Sequence, residues 1–278
     1  MRAPRHLPCP LTKDLMAQSL LPRFADLIRS SSKFDFADLG GNHSLLLDRT
    51  QVRDRDVRMF YAPFDHVTPD ARIAIVGMTP GAHQAQQALL AAREALLAGK
   101  TPLEASRIAK IHARFSGEPM RTNLVRMMDA VGIARLLGLA TTRSLWEQDS
   151  QLVHFTSALR YPVFVDGQNW SGTPDMIRTP KLRGWLVEWT GAELAQLNDC
   201  LIVPLGPKVA AAMHHLAAQG MIDAAQIMDG MPHPSGANQE RIACFLGDKA
   251  WDRCSAKTNS RALAAARDAL ETKVARLH

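Results

Sequence analysis

Ile73-Ala74-Ile75-Val76-Gly77-Met78-Thr79-Pro80-Gly81 is the stretch on which the fold class turns. An apolar β run ends at Gly77 and passes straight into a tight Gly/Pro loop. Gly77 and Gly81 let backbone approach a ligand closely. The loop has no Gly-Lys-Ser/Thr ending, so it is not a phosphate-binding P-loop. Taken alone, such a loop is more often a plain strand-to-helix turn than a site.

Outward from this strand, helical and extended patterns alternate. Apolar residues at helical spacing predict helices from Gln84 to Ala98, Leu103 to Ala113 and Arg121 to Leu137. Leu152 to Leu159 reads as a strand, Pro180 to Leu197 as a helix and Cys200 to Pro204 as a strand. A helix from Pro207 to Ala218 and a short strand at Ile227-Met228 follow. Leu11 to Ile28 and Ser260 to Leu277 predict amphipathic helical extensions. Ser30 to Asp70 is taken as connection and as DNA-facing or cover structure. Strand–helix alternation implies a parallel sheet with helices on its faces. The expected architecture is therefore α/β. One domain holds a three-layer α/β/α core over about 71–252, with a central, mainly parallel four-stranded sheet. Helical additions cover 11–30 and 258–277.

In open α/β sheets, ligands bind outside the carboxyl ends of the strands. Two loops are expected there. One is Gly77 to Gly81. The other is Met231-Pro232-His233-Pro234-Ser235-Gly236, in which two prolines restrain a histidine.

The totals constrain the partner. The chain has 278 residues, a net charge of +6 and a pI near 9.4, a balance that suits an acidic partner such as nucleic acid. Cys9, Cys200, Cys244 and Cys254 form no Cys-x-x-Cys pair and no zinc-ligand spacing. Cys200 and Cys244 sit in apolar runs and read as buried free thiols, so the expected setting is reduced and cytoplasmic. Met1 to Pro10 lacks an apolar signal core, and no stretch approaches the length of a membrane span. His214-His215 are adjacent on a helix and share no face, so no metal pair is expected. Trp185 and Trp189, four apart, read as core.

Together the two loops resemble those of the uracil-DNA glycosylase superfamily, which carries a Gly-x-x-Pro-Gly/Tyr type loop early and a His-Pro-Ser type loop late. Three further stretches are similar and fall in the same order, over about Ile73 to Trp251. They are Phe115-Ser116-Gly117 with its following helix, Thr156-Ser157-Ala158-Leu159-Arg160-Tyr161-Pro162, and Leu201-Ile202-Val203-Pro204-Leu205-Gly206.

The resemblance implies a monofunctional DNA glycosylase of base excision repair, which flips uracil out of DNA and hydrolyses its N-glycosidic bond. It implies His233 as the donor to the uracil O2 and Thr79 where several branches carry a water-orienting Asp or Asn. Gly77, Met78, Pro80 and Gly81 would line the base pocket with Phe115 as the stacking aromatic, Phe64 being a rival. The pocket amide has no direct counterpart. Thr156 or Ser157 stands at its position, and Asn169 or Asn123 is an alternative source. Ser235, Gly236, Ala237, Asn238 and Arg241 are the expected DNA contacts, with Arg178, Lys181 and Arg183 as further phosphate candidates. Gln84, Gln86 and Gln87 open the helix after the first loop. The four cysteines of the iron–sulfur branch have no counterparts, so no cluster, metal or cofactor is expected. Neither loop holds a lysine, so lyase chemistry is not expected. The expected partner is uracil-containing DNA, met by a monomer. A nucleic-acid-binding protein that has lost catalysis, and a glycosylase for another deaminated base such as hypoxanthine, are the competing readings.

Overall fold

The computed structural model describes residues 19–34, 43–114, 117–197 and 199–277. Its elements run α1 (Leu21–Ser30), β1 (Leu46–Val52), β2 (Arg55–Phe60), β3 (Ile73–Gly77), α2 (Ala82–Leu97), α3 (Pro102–His112), α4 (Met120–Ala130) and α5 (Ile133–Leu136). They continue with β4 (Val153–Ser157), β5 (Val163–Val165), β6 (Gln168–Asn169), α6 (Pro180–Trp185), α7 (Ala192–Leu194), β7 (Leu201–Pro204), α8 (Pro207–Ala218), α9 (Gln239–Leu246) and α10 (Ser260–Arg276).

The quoted strand is the centre of the molecule. All five residues of β3 are buried, and β3 pairs in parallel with β4 on one side and β7 on the other. A strand buried on both faces must be apolar throughout. Ala74 and Val76 pack with α1, α2, α3 and α8 in one apolar cluster. Ile73 and Ile75 pack with α4, α9 and α10 in another. Helices therefore cover both faces of a three-stranded parallel sheet of order β4-β3-β7. Where a fourth parallel strand was expected, Ile227 makes one isolated parallel bridge to Ile202. The run at Ile227-Met228 goes no further as a strand, and Gly230, at φ 110°, leaves the extended conformation two residues on.

The segment read as connection holds a second sheet. β1 and β2 form a hairpin that β5 and β6 extend, giving an antiparallel sheet of order β1-β2-β5-β6. β5 and β6 are joined by Asp166-Gly167, both at positive φ (50° and 79°), the conformation that favours Asp-Gly in two-residue hairpins. This sheet is packed onto the core through Val57, Met59 and Phe164. The helices have local causes. Thr101 and Glu104 form a capping box at the start of α3, worth about 1 kcal/mol. Gly132, at φ 85°, breaks the expected 121–137 helix into α4 and α5. The expected 180–197 helix is interrupted by a π-helical turn at Leu186–Gly191.

The cysteine reading is corrected in one respect. Cys200 is a buried free thiol, but Cys244 is bonded to Cys254. Gly247, in the left-handed conformation, ends α9 and lets the chain double back over the ten-residue separation. No helix among the described residues is long and apolar enough to cross a membrane.

Candidate functional site

Both loops leave the carboxyl edge of the parallel sheet. The first is held by an extension of the β3–β4 ladder: Ala158 N–H donates to Gly77 O (2.8 Å) and Leu159 N–H to Met78 O (2.9 Å). Thr79 is held further. Its hydroxyl donates to Tyr161 O (3.0 Å) and accepts from Val163 N–H (3.2 Å). The hydroxyl proton is thus committed, and Thr79 braces the loop against the start of β5. Pro80 is buried, while Met78 and Gly81 are partly exposed. Gly81 caps α2 without a side chain, and Asn169 supplies what is missing: its Oδ1 accepts from Ala82 N–H (2.9 Å). Asn169 therefore lies against the first loop, as a helix cap with its amide group exposed.

His233 stands one strand away. Gly206, at φ +94° just past β7, lies beside it: a Cβ there would stand 3.5 Å from the His233 Cβ, ordinary van der Waals contact. Buried Asn123 of α4 donates to Pro234 O (2.9 Å), fixing the loop from beneath. Ser235 N–H donates to His233 Nδ1 (3.3 Å). An accepting Nδ1 leaves the ring proton on Nε2. Burial lowers the His233 pKa below its ordinary value, favouring this neutral donor form. Beyond it the loop is a linked chain: Asn238 Nδ2 donates to Ser235 Oγ (3.0 Å), and Arg241 donates to Asn238 Oδ1 (3.1 Å). Gly236, Ala237 and Arg241 are exposed. Lys181 is ion-paired with Asp48 (2.7 Å) and Arg183 donates to Ile177 O (3.1 Å), so both are engaged within the fold. Arg178 donates its backbone N–H to Asp175 (2.9 Å), and its side chain has no partner among the described residues.

A cleft opens between the first loop and the end of β4, lined by Phe64, Pro80, Gln84, Lys110, Ser157 and Arg160 among others. It is narrow, with a free volume of about 10 Å³, room for roughly one water. Ser157 and the rival aromatic Phe64 both line it. Phe115 lies outside the described residues. Thr156, the alternative to Ser157, has its hydroxyl committed to Glu193 Oε2 (2.7 Å). His233 does not line this cleft. It stands beyond the first loop, on the β7 side.

Behind the cleft is a buried ionic network that periodicity and motif reading miss. Glu193, fully buried, contacts Lys110 Nζ (2.7 Å), His154 Nε2 (2.8 Å) and Arg160 Nε (3.7 Å). Burial alone would raise the Glu193 carboxyl; Arg160, Lys110 and His154 hold it well below the usual range. Burial pushes Lys110 down to about 8, against the pull of Glu193. Burial, and then Lys110, push His154 down to about 4. Asp65 joins the other end, accepting from Tyr61 (2.7 Å) and Tyr161 (2.5 Å), while Arg160 donates to Asp65 O. Thr190, in the π-helical turn, donates to Ser157 O and Ala158 O (2.9 Å each). The turn thus presents Thr190, and the residues after it Glu193, to the same strand end. Single turns of this kind are frequent at functional sites. Among the described residues there is no cluster able to hold a metal ion.

The chain is 32% identical over 200 residues to the "Uncharacterized protein YoxB" of Bacillus subtilis (strain 168), an alignment covering 71% of this chain and 78% of that one. No family model matches the chain. No solved structure matches it.

Proposed function

This chain belongs to the same family as YoxB, and we propose that it is a DNA glycosylase, with uracil as the base it removes. The observation that carries the reading is His233, held as a neutral Nε2–H donor against Gly206 at the same sheet edge that the Gly/Pro loop leaves. Excision needs the base out of the stack, because its reacting bond is hidden in a duplex. As the glycosidic bond breaks, charge gathers on the base oxygen. A fixed donor aimed at that atom stabilises it by about 3–4 kcal/mol. A neutral imidazole serves without a prior proton. In this reading Ser157 and Asn169 supply polar contacts to the base. The 235–241 loop, with Arg241 exposed, meets the DNA backbone. With the Thr79 proton committed, a carbonyl of the first loop orients the water. The proposal takes Ile227 as the remnant of a fourth strand, and the enzyme as a monomer without cofactor.

Two observations favour a second reading, a nucleic-acid-binding protein without catalysis. The cleft is too narrow for a base as it stands, and Thr79 is occupied by the backbone. One experiment separates the two. Oligonucleotides carrying uracil, hypoxanthine or thymine, single- and double-stranded, are incubated with the protein and with His233→Ala. Abasic sites at uracil alone, lost in the variant, support excision of uracil. Abasic sites at hypoxanthine reassign the base. Binding with no abasic site supports the second reading.

A further inference from the structure

A second, larger cleft lies on the other side of Lys110, between α3 and the start of β4. Its volume is about 350 Å³, within the range of small-molecule sites. One wall is cationic. Arg107 and Lys110 are one turn apart on α3, and Arg114 follows two residues past its end. Lys110 is satisfied by Glu193. Arg107 and Arg114 are paired with no carboxylate among the described residues. Arg114 donates one N–H to Trp146 O, which orients the guanidinium and leaves further donors. The lining has one acid, Asp70, and it is exposed. Apolar lining comes from Ile111, on α3 beside the arginines, and from Val153 and Phe155 of β4, with Ser150 and Gln151 just before that strand.

Two unpaired guanidinium groups suit a phosphate, which they hold through paired N–H donors. A phosphate alone would leave most of the space empty. The apolar lining and the volume suit a planar group attached to it. We propose that this cleft binds a nucleoside phosphate, with the phosphate on Arg107 and Arg114 and the base against Ile111 and Phe155. The cleft contains neither His233 nor the first loop, so the inference does not depend on the excision reading. The ligand comes either as a free mononucleotide or as part of a DNA strand.

Calorimetric titration of the full chain tests this, using deoxyuridine monophosphate, deoxyuridine, inorganic phosphate and a short single-stranded oligothymidylate. The nucleotide or the oligonucleotide binds, and deoxyuridine binds at least about tenfold more weakly. Arg107→Ala and Arg114→Ala each weaken binding about tenfold, and Arg107→Glu abolishes it. Arg107 is exposed, so its variants keep the wild-type melting temperature. His233→Ala binds as wild type, whatever its activity. Binding of the mononucleotide identifies a free nucleotide; tighter, Arg107-dependent binding of the oligonucleotide identifies a strand. Failure of both to bind, binding of inorganic phosphate as tight as that of either, or binding unchanged in Arg107→Glu overturns the proposal.

Discussion

His233 and Thr79 play unequal parts. His233 is fixed on one ring nitrogen and, among the described residues, has no partner on the other, the condition for a donor; Thr79 is bonded to backbone through both roles of its hydroxyl. If excision is the activity, His233→Ala is expected to lower it by about 10²–10³, with little change in melting temperature. Thr79→Ala is expected to act on stability instead. It removes two hydrogen bonds that brace the loop and should cost about 1–2 kcal/mol, read by denaturant unfolding. Thr79→Ser should restore most of it. A Thr79→Ala protein of full stability but no activity would return Thr79 to the chemistry. Of these two residues, His233 was the more legible, since two prolines and a following serine announce a restrained loop. The commitment of Thr79 was not, because its partners, Tyr161 and Val163, lie more than eighty positions away.

At the scale of the element, the π-helical turn at Leu186–Gly191 and the three-residue α7 matter most. They carry Thr190 and Glu193 onto the end of β4. Removing one partner of a buried ionic group leaves the others uncompensated, at a cost of about 3–5 kcal/mol. Glu193→Ala is therefore expected to lose that much stability. Glu193→Gln, which keeps hydrogen-bonding atoms, should lose less in the same unfolding assay. Helical periodicity pointed to one helix across this region, and the interruption left no mark in it. The members of the network run from Tyr61 to Glu193 and meet only through the fold. The second sheet was legible in part. Asp166-Gly167 between short strands is a strong hairpin signal, whereas the β1–β2 turn at Arg53-Asp54 carries no glycine or proline to announce it. The α/β class and the central strand needed no long-range information, because an apolar run ending in glycine identifies itself.

For the whole molecule, pH and redox state are the informative variables. His66 and His154 are both pushed down to about 4 by burial and by Lys110. Between the unfolded value near 6.5 and this folded value, the unfolded chain binds more protons. The contribution of these two rings should therefore be full above about pH 6.5 and fall as pH drops towards 4. A melting temperature that stayed flat from pH 7 to 4.5 would contradict the buried, neutral placement of these rings. The Cys244–Cys254 bond closes a short loop after α9. Cys254→Ser, or reduction, is expected to cost about 2–3 kcal/mol by loosening the unfolded-state constraint, measured by chemical unfolding with and without reductant.

The Ser235 amide that bonds to His233 Nδ1 has a use beyond holding the ring. When Nδ1 takes a proton it no longer accepts, and that amide loses its partner. The Ser235 N–H resonance should therefore move with the ionisation of one chosen imidazole among ten histidines. A backbone nucleus becomes an indicator for the site, readable by heteronuclear NMR with no substrate or label attached. The same peak, followed as oligonucleotide is added, would show whether the ring is engaged before any bond is cut.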